Sequence, residues 1–404
     1  MHSIAQSLDY HTAIQPIIKM HCASCHNNTG VGAMSLTNYK EVSAYGKMIQ
    51  YVTENKFMPP WKADPQYSHL KNYNALTVDE IAAIKNWVKT GMAEGNLPVQ
   101  SKETVLKPAI EVAVTDAVLA MEKSFIVSGD YKGKFQVFVI PTAFKQDEII
   151  EAIEFVPGNK KIVKSCTISI DTGQTGIQFD NNDHNYGYSS LTGIGFIPYQ
   201  YNWYQWTADE PTGFQLLTVA KRIPAGSKLL LHISYAASTT PQKDSSYIKF
   251  RFLKSTGKMK IASSKVLLDT THITNGPFVV NKGEKRKYYA ETKLTGAVEI
   301  YSVMPMGQFA LSSWEIYAID SLTGKRFEIL KIPHWDAHWK KKYVLEKPVH
   351  LSAGSKIFGI AYYNNSEDNP NLIILPPKKI KYGEGQRDEL FIVQFDTVDK
   401  EMQP

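Results

Sequence analysis

Five consecutive residues, Cys22-Ala23-Ser24-Cys25-His26, hold the most specific chemistry in this chain: two thiols three positions apart, followed by an imidazole. On one helical turn such thiols reach the two vinyl groups of a porphyrin and the adjoining imidazole reaches its iron, which is the attachment signature of a c-type haem. Competing uses of a Cys-x-x-Cys pair need partners that are missing. The chain has three cysteines, the third being the distant Cys166, so a four-thiolate zinc site is excluded, and no strand-to-helix redox context precedes Cys22. One covalent haem c is expected, attached through Cys22 and Cys25 and ligated by His26.

A second axial ligand is offered by Lys56-Phe57-Met58-Pro59-Pro60-Trp61. Met58 is the expected donor, because the two prolines that follow it forbid a helix and restrict the backbone around the thioether. His69 is a competitor and His21 a weaker one. Met/His ligation raises the reduction potential and leaves no open position for oxygen chemistry.

The elements that must position these groups read as a small helical domain. Ile14, Ile17 and Ile18 have helical spacing just before the attachment run, and a second helix is expected from Lys40 to Thr53. A third begins at Thr77-Val78-Asp79-Glu80, a capping box, continues with Ile81, Ile84 and Val88 on one face and Trp87 beside it, and stops at Gly91. Three helices around a haem predict a class I-like cytochrome c domain over residues 1–98, and the aperiodic stretch 99–107 reads as a linker.

Beyond the linker the period changes. Phe135–Val139, Tyr247–Phe252 and Lys356–Tyr362 are β-rich or alternating, with Gly, Pro, Asn and Asp between such runs. So much strand exceeds one ordinary sandwich, and Ser, Thr, Gly and Lys cluster around 256–272. The expectation is a multidomain chain, an all-α cytochrome c domain followed by two all-β, jelly-roll-like sandwiches at 108–262 and 263–404.

Composition excludes more than it suggests. With 45 basic and 39 acidic side chains the net charge is +6, a mild excess with no basic stripe, so nucleic acid is not expected as a partner. No apolar stretch is long enough to span a membrane, and Met1-His2-Ser3-Ile4 is not a signal peptide. Because haem attachment follows export, the expected location is periplasmic or elsewhere in the cell envelope, with a leader on the precursor for which a lipid-anchor signal is one alternative.

Met58–Pro65, Leu76-Thr77, Glu80-Ile81 and Trp87-Val88 resemble the cytochrome c domain fused to bacterial copper type II, ascorbate-dependent monooxygenase-like proteins. The resemblance continues through Val139–Thr142, Glu154–Asn159, Gly193–Pro198, Ile332–Asp336 and Tyr363–Ser366, which look like framework motifs of the two peptidylglycine-monooxygenase-like sandwiches. It implies one copper per sandwich, held by histidines in the first and by two histidines and a methionine in the second. This chain departs from that set everywhere: it has Lys164 and Ser165, then Ser234-Tyr235-Ala236, Met306-Gly307-Gln308, and Leu390 after Asp388-Glu389. Imidazole holds copper at neutral pH, whereas Ser, Ala and Leu offer it little and a protonated Lys repels it, so copper is not expected at either position.

The remaining candidates read as structural. His334 and His338 are expected to pack or to face solvent, His232 shares a strand face with Ser234 and is a possible displaced ligand, and Cys166 is expected to be a buried hydrophobe. The aromatic run Tyr199–Trp206 is expected to be core, with a binding platform as the alternative. The function expected is that of an exported electron-transfer cytochrome whose degenerate sandwich pair binds a redox partner or ligand, in a cell-envelope complex or alone. The alternative is an active copper-type monooxygenase, or another oxidoreductase with a rebuilt centre fed by the haem.

Overall fold

A computed structural model describes residues 8–71, 73–96, 115–130, 133–191, 193–210, 213–255, 259–337, 339–383 and 388–399. The expected linker, the N-terminal tetrapeptide and His338 lie outside these residues. The described chain is mostly β-sheet, preceded by a few short helices.

Helical structure begins with a π-turn, Tyr10–Ile14, whose start is capped by the Asp9 carboxylate accepting from the Thr12 N–H at 2.9 Å. It continues as Gln15–His21, with Pro16 in the first turn where its missing N–H does no harm. The helix expected over Lys40–Thr53 is two helices, Tyr39–Ala44 and Gly46–Glu54, which meet at Tyr45. Gly46, which opens the second of them, is closely covered: a Cβ there would lie 2.4 Å from the Met92 sulfur. The helix Val78–Lys89 has the full capping box, with Thr77 N–H donating to Glu80 at 2.7 Å and Glu80 N–H donating to the Thr77 hydroxyl at 3.2 Å. Gly91 follows at φ +97°, the left-handed conformation that ends it. Tyr10, Ile14, Ile18, Val42, Ile84 and Trp87 form the buried cluster of this region.

The strands build two pairs of sheets. In the first, Lys134–Pro141, Val163–Asp171, Gln200–Thr207 and Lys228–Tyr235 lie together in a five-stranded sheet. It faces a layer made of Ala117–Ala120, Tyr247–Phe252, Glu148–Val156 and Gln215–Ile223, with Phe138, Ile168, Trp203 and Phe250 in the core between them. In the second, Lys285–Lys293, Lys356–Asn364, Leu311–Ile319 and Arg326–Ile332 face Ile261–Leu268, Ile392–Asp399, Val298–Met306 and Tyr343–Leu351 around Trp314, Tyr363 and Phe391. The position 262/263, where a change of domain is expected, falls inside the strand Ile261–Leu268. That strand pairs in parallel with Gln215–Ile223 and antiparallel with Ile392–Asp399, so one eight-stranded sheet runs through both halves.

An eight-residue helix, Thr175–Asn182, interrupts the β-only pattern expected here. Asp171 starts it by accepting from the N–H groups of Gly173 at 2.8 Å and Gly176 at 3.1 Å, a local capping interaction that outweighs the surrounding strand tendency. The aromatic run is core from Gln200 onward, every residue of the strand Gln200–Thr207 being buried, whereas Tyr199, at its start, is exposed. Its sheet is covered on both faces, by its own partner layer and by the second sandwich. Val137, Tyr201 and Leu230 there meet Met306, Leu390 and Ile392 in an apolar seam between the halves.

Candidate functional site

Cys22 caps the helix Gln15–His21 and donates its N–H to the Ile18 carbonyl at 2.9 Å. The chain then turns so that Cys25 N–H (3.2 Å) and His26 N–H (2.9 Å) both point back to the Cys22 carbonyl, which draws the two thiols and the imidazole onto one turn. Asn27 locks that turn by donating its side-chain amide to the carbonyls of Ala23 at 2.8 Å and Ser24 at 3.0 Å. The His26 ring is fixed by Nδ1 against the Met34 carbonyl at 3.1 Å, an arrangement that holds the ring and leaves Nε2 to act as ligand. Gly30 and Gly32 make room for it: a Cβ on Gly32 would stand 2.5 Å from His26 Nδ1, and one on Gly30 would stand 2.1 Å from the Cys25 carbonyl oxygen.

Both thiols are free. Burial pushes Cys22 up to about 12, with Cys25 adding to the effect, and burial followed by the Asp209 charge pushes Cys25 up to about 11.

Met58 lies in the loop after Gly46–Glu54, where the N–H groups of Phe57 (2.8 Å) and Met58 (3.1 Å) share the Val52 carbonyl; its side chain is 42% exposed. The two rival ligands are differently engaged. His21 is buried with Nδ1 3.0 Å from Asn74 Oδ1 and Nε2 3.2 Å from Glu80 Oε1, so both ring nitrogens are occupied. His69 is exposed, and its carbonyl accepts from Glu346 N–H at 2.9 Å.

That last contact belongs to a docking of the helical region onto the second sandwich that sequence reasoning missed. Asp64 N–H donates to Lys331 O and Lys71 N–H to Val344 O, each at 2.8 Å, and Leu70 pairs with Leu345. Trp61 is buried edge-to-face on Tyr343 at 5.4 Å. The Lys341 ammonium lies 5.6 Å above the Trp61 ring and 5.5 Å above Trp339, and pairs with Asp209 of the first sandwich at 3.0 Å. Burial raises Asp209, but Lys341 prevails and holds the carboxyl below the usual carboxylate range. Burial pushes the neighbouring Glu210 up to about 7. Among the described residues, the indole N–H groups of Trp61, Trp335 and Trp339 and the Oδ1 of Asp209 have no hydrogen-bond partner.

Two neighbouring thiols and an imidazole with one nitrogen anchored are the donor types that a covalently attached haem would use. Copper does not fit the positions that the resemblance marks. Burial draws Lys164 below the ordinary lysine range, against the opposing pull of Asp336. Leu390 is sealed in the seam, and the Met306 sulfur accepts from Asn202 at 2.8 Å. The backbone N–H groups of Gln308 and Ala310 are taken by Glu389. His232 packs on Phe135 with Nε2 2.9 Å from the Ser190 carbonyl, and burial pushes it down to about 4, so it is a neutral structural histidine. His334 is exposed and Cys166 fully buried. Among the described residues no three His, Cys, Asp or Glu side chains group as a metal site, and no helix is long and apolar enough to cross a membrane.

No family model and no curated protein matches this chain. Among solved structures it is similar to PNGF-II, at 12% identity and a TM-score of 0.29 over 71% of this chain. The chain spans 65% of the length of that protein. It is also similar to a structure of infectious bursal disease virus Gt strain (6% identity, TM-score 0.19, 72% of this chain and 74% of that one). A third is the CBM22-1-CBM22-2 tandem domain of Paenibacillus barcinonensis Xyn10C (9% identity, TM-score 0.15, 71% and 94%). Likenesses this weak carry no argument about fold family or activity.

Proposed function

We propose that this protein is an exported monohaem c-type cytochrome that carries electrons, its helical region a class I-like cytochrome c domain. Its paired jelly-roll-like sandwiches serve to dock a redox partner in the periplasm or cell envelope. The observation that carries the reading is the Cys22–His26 turn, with His26 Nδ1 anchored on Met34 so that Nε2 is available to iron. When bound, the haem supplies a one-electron couple; the chain's own residues hold it through Cys22, Cys25 and His26, with Met58 as the second ligand.

The sandwiches are assigned to binding rather than to copper oxygenation because the positions where the resemblance places copper hold Lys164, Ser234, Gln308 and Leu390. Two of those positions help close the protein: Leu390 packs in the seam beside Met306, and the Gln308 turn is fastened by Glu389.

The test is the metal content of full-length protein exported through a host that attaches haem, then exposed to copper and dialysed. One iron per chain that stays covalently bound after denaturation, with no copper, is the expected result. A chain that takes no covalent haem overturns the cytochrome reading, and stoichiometric copper would restore the monooxygenase alternative.

A further inference from the structure

The loop that carries Met58 runs directly into the segment that docks on the second sandwich. Met58 is followed by Pro59 and Pro60, whose rings fix their own φ angles, and the Trp61 N–H closes the stretch by donating to the Pro59 carbonyl at 2.8 Å. Little freedom is left between the thioether and the indole. On its other side Met58 is tied to the end of the helix Gly46–Glu54, through the Val52 carbonyl that its N–H shares with that of Phe57. The Met58 side chain is 42% exposed, so its place depends on the backbone that carries it.

What holds the indole is the second sandwich. Trp61, Ala63 and Leu70 belong to the buried core of that sandwich. The buried cluster of the helical region draws, among the described residues, on Ile49 and then on Leu76, Ile84 and Trp87, with nothing from between. Trp61 is 7% exposed and lies edge-to-face on Tyr343 at 5.4 Å and on Tyr73 at 5.3 Å. The backbone that follows is bonded to the outer strand of each sheet. Asp64 N–H donates to Lys331 O in Arg326–Ile332, and Lys71 N–H donates to Val344 O in Tyr343–Leu351, with Glu346 N–H returning to His69 O. A segment that covers two sheet edges with strand-like bonds is held as firmly as the edges themselves.

We propose that Trp61 is the positioning residue for the Met58 thioether, so that the second sandwich, and not the helical core, sets the sixth ligand of the haem. This rests on the cytochrome reading with Met58 as ligand. Loosening the indole should release the thioether while the haem stays attached through Cys22 and Cys25 and ligated by His26. That turn is closed by its own bonds to the Cys22 carbonyl and by Asn27, none of which involves the docked segment.

The experiment uses the full-length holoprotein and reads, on each sample, covalent haem per chain, the charge-transfer band of methionine-ligated ferric haem and the carbon monoxide affinity of the ferrous form. Trp61→Ala should keep the covalent haem and weaken the band, with carbon monoxide bound roughly tenfold more tightly, the upper worth of one edge-to-face aromatic contact. Tyr343→Leu, which alters only the sandwich's side of that contact, should act in the same direction, and Trp61→Phe, which keeps a ring, should stay within about twofold of native. In unaltered protein titrated with urea, the band should be lost in the same transition as the β-sheet circular dichroism, a readout that needs no variant. A band that outlives the sheet signal or vanishes while it is intact would overturn the proposal, as would folded Trp61→Ala and Tyr343→Leu proteins with native band and affinity. The reading beneath fails separately, before any substitution: native protein without covalent haem overturns the cytochrome, and native protein with covalent haem but no methionine band removes Met58 as its ligand.

Discussion

Removing the Asp396 carboxylate should loosen the junction of the two sandwiches more than any surface change could. Asp396 is buried and receives Lys221 at 2.8 Å, Lys342 at 3.1 Å, Ser264 at 2.5 Å and Ser302 at 2.6 Å. Lys221 comes from the first sandwich and also donates to Trp203 O at 2.5 Å. Burial pulls the Lys221 ammonium down while Asp396 pulls it back up, and the two lysines overcome burial to hold Asp396 well below the carboxylate range. Asp396→Asn leaves Lys342 and Lys221 buried with no carboxylate, and Lys221, which burial already draws down to about 7, must then shed its proton or stay uncompensated, a change that costs roughly 3–5 kcal/mol. The first thermal transition, followed by circular dichroism at pH 7, should fall by roughly 6 to 15 °C. The pH dependence has a fixed sign. The folded pKa of Asp396 is depressed, so its contribution is present above the ordinary value of 3.8 and is lost as pH falls through the folded value. The gap between native and variant should thus hold at neutral pH and narrow in strong acid. A transition within about 1 °C of native at pH 7 would refute the reasoning, because it would mean that water or side-chain movement discharges the site.

Three further outcomes are expected. Gly32→Ala places a methyl 2.5 Å from His26 Nδ1, so the ring must leave the Met34 carbonyl; covalent haem per folded chain should drop several-fold, and an unchanged low-spin spectrum would count against the turn as the attachment site. Met58→Ala should open the sixth position and allow carbon monoxide to bind; native protein that already binds it would remove Met58 as ligand. His232 is held down at about 4, below its ordinary 6.5, so the stability tied to its neutral form is complete above 6.5 and lost as pH falls towards 4. That slope, of up to about 3 kcal/mol, should flatten in His232→Gln, and equal acid unfolding curves for the two proteins would exclude the assignment.

What could be read from the chain was local. The Cys22–His26 turn, the Thr77/Glu80 capping box and the stop at Gly91 each depend on residues a few positions apart, and the strands Tyr247–Phe252 and Lys356–Asn364 announce themselves by composition and alternation. The break at Tyr45 was not readable, and the close cover of Gly46 by Met92 there joins residues far apart in the chain. Nor was the helix at Thr175, which depends on one Asp171 side chain choosing backbone N–H groups over solvent. The docking of Trp61–Lys71 on the second sandwich was also hidden: edge pairing of Asp64 with Lys331 and of Lys71 with Val344 leaves no periodic mark on either partner. Lys341 and Asp209 each read as ordinary surface charges until the fold brings them together between two indoles.

The positions where the resemblance would place copper take part in the same long-range contacts. Leu390 and Met306 press against Tyr201 and Leu230 in an apolar seam, Glu389 receives the N–H groups of Gln308 and Ala310 while the Gln308 side-chain amide is buried with no hydrogen-bond partner among the described residues, and one sheet continues from Gln215–Ile223 into Ile261–Leu268. Lys164 faces Asp336, whose loop also meets Lys62 of the helical region. The residues at those positions thus lie among the contacts that tie the two sandwiches to each other, and the loop of Asp336 meets the helical region through Lys62.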